Sequence, residues 1–179
     1  MPPILSCPIL KNLSYVTRED SYLVIQVGDK GLVLDKVDGP NHLKVVEEFG
    51  YELDLHCGAI RKVLLAYQSP SFIEEYVKKI IEHDHAFPRV DAGDLRDELK
   101  KIRQSGYAIT YGEYVNDAVG IGAPVFNSEG ELAGSIGIIA PTIRLNSEEL
   151  LKVQLEYVQK FAADLSRDIG YSPLFSSRA

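Results

Sequence analysis

Apolar positions switch between two periods along the chain, and the switches mark its elements. Ile9, Leu13 and Val16 recur at helical spacing behind Pro8, which predicts an opening helix. Residues 22–27 and 32–37 read as strands joined by the turn Gly28-Asp29-Lys30-Gly31, a hairpin. Residues 42–48 and 51–55 are short strand candidates around Gly50. A helix follows over 58–68. Ser71 to Glu74 has capping-box spacing, and Phe72, Ile73, Tyr76, Val77, Ile80 and Ile81 form one stripe beyond it. Leu95, Leu99 and Ile102 mark another helix, stopped near Gly106. Strands are expected over 107–111, 119–126 and 131–140, the last two joined through Asn127–Gly130. A final helix opens at Asn146, with Glu149 three residues on, and closes at Gly170; its stripe from Leu151 to Ile169 is wide enough to lie on a sheet. Hairpins joined to separate helical blocks predict an α+β fold, a mostly antiparallel sheet covered by helices.

The hairpin VGIGAPVFNSEGELAGSIGII carries a further pattern. Pairing Phe126 with Glu131 sets Gly122 opposite Ser135 and Gly120 opposite Gly137, all on one side of the sheet. Val119, Ile121, Ala123, Val125, Ile136 and Ile138 fall on the other side. One face is therefore filled, and the other has a bare patch two strands wide. Glycine inside strands marks close approach of a ligand or of another backbone; a pocket and a tightly packed helix both fit.

Composition narrows the class. The chain has 179 residues, 45% hydrophobic and 25% charged, enough for one globular domain. Its net charge of −7 makes it a poor partner for nucleic acid on its own. No apolar run approaches the ~18–20 residues of a membrane span, and no leader opens the chain. Cys7 and Cys57 form no close motif, which suits a reducing cytoplasm.

Chemistry concentrates in LHCGAIRKVLLA, residues 55–66. Three readings compete. Cys57 as a nucleophile needs a base, and His56, its neighbour on an extended strand, points to the opposite face; His83 or His85 would have to serve, giving a small Cys/His hydrolase or lyase. A metal site would need His56 and Cys57 joined by the His83-Asp84-His85 group. The third reading is a loop and helix start whose N–H groups, bared by Gly58 and Ala59, receive a carboxylate. The local sequence favours the third, with His56 bracing the turn; no catalytic residue, metal or cofactor is assigned.

Four segments taken together resemble one family. LHCGAIRKVLLA is similar to the "LH-small-small…GKALLA" motif of the effector-binding domain of IclR-type transcriptional regulators. IRQSGYAITYGEYVNDAVGIGAPVF resembles that family's stretch from IR and GYA through a glutamate and a glycine to IAAPVF. NSEGELAGSIGIIAPTIRLNSEEL resembles its last hairpin with the GP-x-x-R ending, and PILKNLSYVTREDSYLVIQVGDKGLVLDKVDGP its opening helix and first hairpin.

The resemblance implies a GAF-like, profilin-like sensor: a curved antiparallel sheet of about six strands, with a pocket on one face for a small organic-acid effector. It implies an effector-binding domain over residues 1–170, of which 1–19 end a linker helix, and a polar tail over 171–179. It implies self-association as dimer or tetramer, and DNA contact only through an N-terminal winged helix-turn-helix that this sequence does not contain. Matched residue by residue, the carboxylate turn falls on the N–H groups of Ala59 and Ile60, and apolar walls on Val45, Leu53 and Ala118. Lys62 matches the family's lysine. Thr110 stands where an acid is common, Gly120 where a cysteine is, Gly137 and Ile139 where serines are, and Arg61 where a glycine is. These departures predict a roomier, less polar pocket, and hence an effector more apolar than a two- or three-carbon keto acid. The glycine patch lands on the same positions, which favours the pocket reading.

Overall fold

The computed structural model describes residues 3–45, 50–81 and 88–173. Helix α1 (Pro3–Thr17) leads into the hairpin β1 (Asp20–Val27) and β2 (Lys30–Val37), then the short β3 (Glu52–Asp54). Helices α2 (Ala59–Ala66), α3 (Pro70–Tyr76) and α4 (Ala92–Ser105) follow, α3 running on as a π turn over Val77–Ile81. Strands β4 (Ala108–Tyr111), β5 (Ala118–Phe126) and β6 (Leu132–Pro141) precede the long α5 (Glu148–Asp168). The six strands form one curled antiparallel sheet in the order β3-β2-β1-β6-β5-β4.

Alternation along the strands builds a core on each face. Leu23, Val119, Ile121, Ile136 and Ile138 meet Leu10 and Leu13 of α1 and Val158 and Leu165 of α5. Each such side chain, fully withdrawn from water, contributes about 1.5–3 kcal/mol. On the opposite face, Tyr22, Val24 and Val33 meet Ile60, Val63 and Leu64 of α2, with Tyr76, Leu95 and Leu99 behind them.

Several details differ from the sequence-based expectations. The β5–β6 hairpin pairs Gly122 with Gly137 and Gly120 with Ile139, because the turn sets Phe126 opposite Leu132, one position beyond Glu131, and a bulge at Val125/Phe126 adds one more. The shift is by an even number of positions, so the division of faces survives. Helix α3 is capped by Ser69, whose hydroxyl accepts from the Phe72 N–H at 3.2 Å, with Pro70 in the first turn; the spacing from Ser71 to Glu74 is not the cap. Ser147, not Asn146, caps α5 by accepting from the Leu150 N–H at 3.2 Å. Residues 41–45 are irregular, and the rest of the strand expected over 42–48 lies outside the described residues.

Candidate functional site

The site is built around the start of α2. Gly58 takes φ 79°, a conformation side-chain-bearing residues avoid, and so turns the chain into the helix with its first amides left without partners inside the helix. The glycines of the sheet let that first turn settle directly on the strands. A Cβ added to Gly122 would lie 2.7 Å from Ile60 Cα, and one on Gly137 2.7 Å from Ile60 Cγ1. Ser135 fixes the same turn, its hydroxyl donating to the Ile60 carbonyl at 2.6 Å.

Beside this contact a narrow cleft remains, with an interior of about 30 Å³. The start of α2 from Gly58 to Arg61 lines it, with Val45, Thr110, Ala118, Gly120, Ile139 and the β4–β5 loop at Gly112–Val115. Of the residues expected at a pocket, Leu53 and Gly137 are not in its wall: Leu53 pairs with Gly31 at the far side of the sheet, and Gly137 is covered by Ile60. Val45 is held in the wall by its carbonyl, which accepts from the Tyr22 hydroxyl at 3.1 Å. Arg144 steadies the same segment: its guanidinium grips Glu19 at 2.6 and 2.5 Å and donates to the Leu43 carbonyl at 2.7 Å.

The amides at the helix start are already engaged. The Ala59 N–H donates to Thr110 Oγ1 at 3.0 Å, and the Gly58 N–H to Glu113 Oε2 at 3.0 Å. The other Glu113 oxygen accepts from Lys62 Nζ, which also reaches Glu98 Oε2 of α4 at 2.7 Å. Lys62 is only 1% exposed, so its charge is satisfied inside the fold by two carboxylates.

His56 braces the turn from below. Its Nε2 faces the Pro88 carbonyl at 3.0 Å, and a carbonyl only accepts, so that nitrogen carries the proton. Nδ1 therefore accepts from the Tyr76 hydroxyl at 2.8 Å, and that hydroxyl in turn accepts from the His56 N–H at 3.2 Å. Burial holds the imidazole below its usual pKa and pushes the Tyr76 phenol above its own. Both ring nitrogens are committed, which leaves His56 no lone pair for Cys57. Among the described residues no cluster of metal-ligating side chains occurs, and His83 and His85 lie outside them.

Arg61 turns inward, against the usual fate of a helix arginine. It is 2% exposed, and its Nε donates to the Gly31 carbonyl at 3.3 Å. A side chain at position 31 would put a Cβ 2.7 Å from Arg61 Cγ, so this glycine opens the space for the arginine.

Comparison with known proteins then places the chain. The family model for the C-terminal domain of bacterial IclR transcriptional regulators matches residues 4–167. The chain belongs to the IclR family. It is 27% identical over 171 residues to the HTH-type transcriptional regulator KipR of Bacillus subtilis, covering 92% of this chain and 66% of that protein. It is 30% identical over 167 residues to the regulator BhcR of Paracoccus denitrificans, covering 93% and 59%. The chain thus spans roughly three fifths to two thirds of the length of these curated relatives. The crystal structure of the Thermotoga maritima IclR protein matches with a TM-score of 0.84 at 25% identity, over 94% of this chain and 68% of that one. A regulator from Rhodococcus, 20% identical, shares the fold at 0.86.

In this IclR-type regulatory domain, Glu113, Tyr114 and Val115 are wall residues that sequence reasoning did not single out. The glutamate was visible as part of the resembling segment. Its partners were not, since Gly58 and Lys62 stand more than 50 positions away in the chain. No helix among the described residues is long and apolar enough to cross a membrane.

Proposed function

We propose that this IclR-type domain is a non-catalytic sensor of a small organic acid in the cytoplasm, and that binding shifts the geometry of a homo-oligomer and thereby DNA binding by the winged helix-turn-helix part of a longer regulator. The observation that carries the reading is the cleft at the glycine-started helix, where residues of three family-like segments converge. The Thr110 oxygen accepts from Ala59, which leaves the hydroxyl proton to donate into the cleft. A ligand oxygen accepting it is linked through the hydroxyl to the positive end of α2. The ligand's body lies over Gly120, walled by Val45, Ala118 and Ile139. An effector that prefers one arrangement of the domain shifts the population toward it.

The commitment of both His56 nitrogens speaks against a Cys57 hydrolase or lyase. Calorimetry with glyoxylate, pyruvate, benzoate, branched acids and amino acids tests the sensor reading, with sedimentation run in parallel. Saturable binding by the more apolar members, together with a changed sedimentation profile, is expected. An absence of binding by every member overturns it.

A further inference from the structure

The cleft interior of about 30 Å³ is the space of one water molecule, so an organic acid enters only if part of the wall withdraws. Which part moves is an inference that rests on the sensor reading above. The helix side is fixed: Ser135 holds the Ile60 carbonyl, and Gly122 and Gly137 lie directly against Ile60. The sheet side is fixed too, since Ala118, Gly120 and Ile139 belong to the β5–β6 ladder. The β4–β5 loop is built differently. Gly112, Val115, Asn116 and Asp117 are exposed, so little packing holds the loop down. Its two ends are anchored: the Gly112 N–H donates to the Ala118 carbonyl at 2.8 Å, and the Asp117 carbonyl accepts from the Thr142 N–H at 2.7 Å. The chain turns sharply at both ends, with φ 62° at Gly112 and 60° at Asp117. Between them Glu113 reaches across to α2, one oxygen on the Gly58 N–H and the other on Lys62 Nζ.

The chain's own carboxylate thus occupies the donors that would receive a ligand's. The Thr110 hydroxyl, on the next amide, completes the seat. Arg61, also in the wall and 2% exposed, adds a second buried cation. Withdrawing Glu113 with nothing in its place would leave the sealed Lys62 ammonium with Glu98 alone, and breaking a buried ion pair in this way is costly. The contact therefore holds without ligand and yields to a replacement anion. We infer that Glu113 is an autoinhibitory latch: a small organic anion exchanges with its carboxylate at Gly58 and Lys62, and the β4–β5 loop swings outward to open the cleft. The loop's Val115 also lines a neighbouring groove with Leu43, Tyr111 and Ile143, all exposed. Exchange at the seat thereby alters an outer apolar surface.

Calorimetry on the full chain with benzoate and 4-methylpentanoate tests this by comparing the parent with Glu113→Ala. The variant should bind at least about ten-fold more tightly, because the competing carboxylate is gone and the binding-competent form is no longer rare. Hydrogen exchange on the unaltered protein gives a second readout, which decides even where the variant fails to fold. Saturating benzoate should speed exchange several-fold over residues 113–116, while the Gly58 amide stays protected by its new partner. A merely structural ion pair would give the opposite, a loop that exchanges no faster when ligand is bound. Equal or weaker binding by Glu113→Ala overturns the inference and leaves the sensor reading standing, as does unchanged or slower loop exchange in the bound parent. Binding by the variant alone supports the latch. Silence from every folded protein toward both acids overturns the latch and the sensor reading together.

Discussion

The β5–β6 hairpin presents two faces that obey different rules. Toward α1 and α5, Val119, Ile121, Val125, Ile136 and Ile138 are fully buried and fill the space between sheet and helices with side chains. Toward α2 the same strands carry Gly120, Gly122, Ser135 and Gly137, and helix backbone fills the space instead. Side-chain packing gives a sealed core. Backbone packing brings helix amides to the sheet surface and leaves a cleft where the contact stops, at Gly120. In this molecule the line between structure and site falls between Gly122 and Gly120, two residues apart on one strand.

Substitutions on the two faces should separate cleanly. Ile138→Ala should have the largest effect, about 2–5 kcal/mol of lost stability in urea melts, because it leaves a cavity in the side-chain core. Ligand affinity, normalised to folded protein, should not change. A much smaller loss would mean that the α5 face is loosely packed.

Next in size, Gly122→Ala should destabilise by about 1–3 kcal/mol, since the added methyl lies 2.7 Å from Ile60 Cα, a backbone atom that cannot swing aside. Gly120→Ala provides the contrast. Its methyl meets only ordinary contacts at 3.4 and 3.5 Å, so stability should move by less than about 1 kcal/mol, while the cleft loses volume and ligand affinity falls. Equal melting behaviour of the two variants would erase the boundary between them.

A smaller effect is expected at the inward arginine. Gly31→Ala crowds Arg61 Cγ at 2.7 Å and should cost about 1 kcal/mol, because the obstacle is a flexible side chain. In Arg61→Ala the same change should be neutral. A double-mutant cycle with no coupling would show that the glycine serves another purpose.

The sequence made some of this legible and hid the rest, for identifiable reasons. The two faces follow from the period of two, and an even register shift leaves them intact; the pairing itself depended on a longer turn and on a bulge that no residue type announces. Thus Gly137 was expected opposite Gly120 in a pocket, whereas it sits opposite Gly122 beneath Ile60. The cap of α3 was legible in Pro70, which favours the residue before it, but the glutamate spacing from Ser71 drew the reading away. Arg61 reads as solvated because helix arginines usually are; Gly31 reads as the end of a turn, and only its place inside β2 makes it a mark of close approach. The Glu113 contacts join residues far apart in the chain, and no local pattern encodes them.

The bracing histidine gives the smallest effect and the finest distinction between packing and chemistry on the α2 face. In the fold His56 is buried and neutral, with desolvation as the main cause of its lowered pKa, opposed by the hydrogen bond to Pro88 and the field of Asp54. The unfolded chain titrates near the ordinary value of 6.5. Below that value the unfolded state binds a proton that the folded state resists, so this group's stabilisation is complete above it and is lost as pH falls through the window beneath it. The melting temperature of the parent should therefore drop more steeply below that value than that of His56→Gln, whose amide can still donate to Pro88 but does not titrate. The gap between the two profiles should be constant at higher pH, where only the lost Tyr76 contact separates them. Parallel profiles down to acid pH would mean that the imidazole takes up its proton as readily in the fold as in the unfolded chain, and that burial does not oppose its charge.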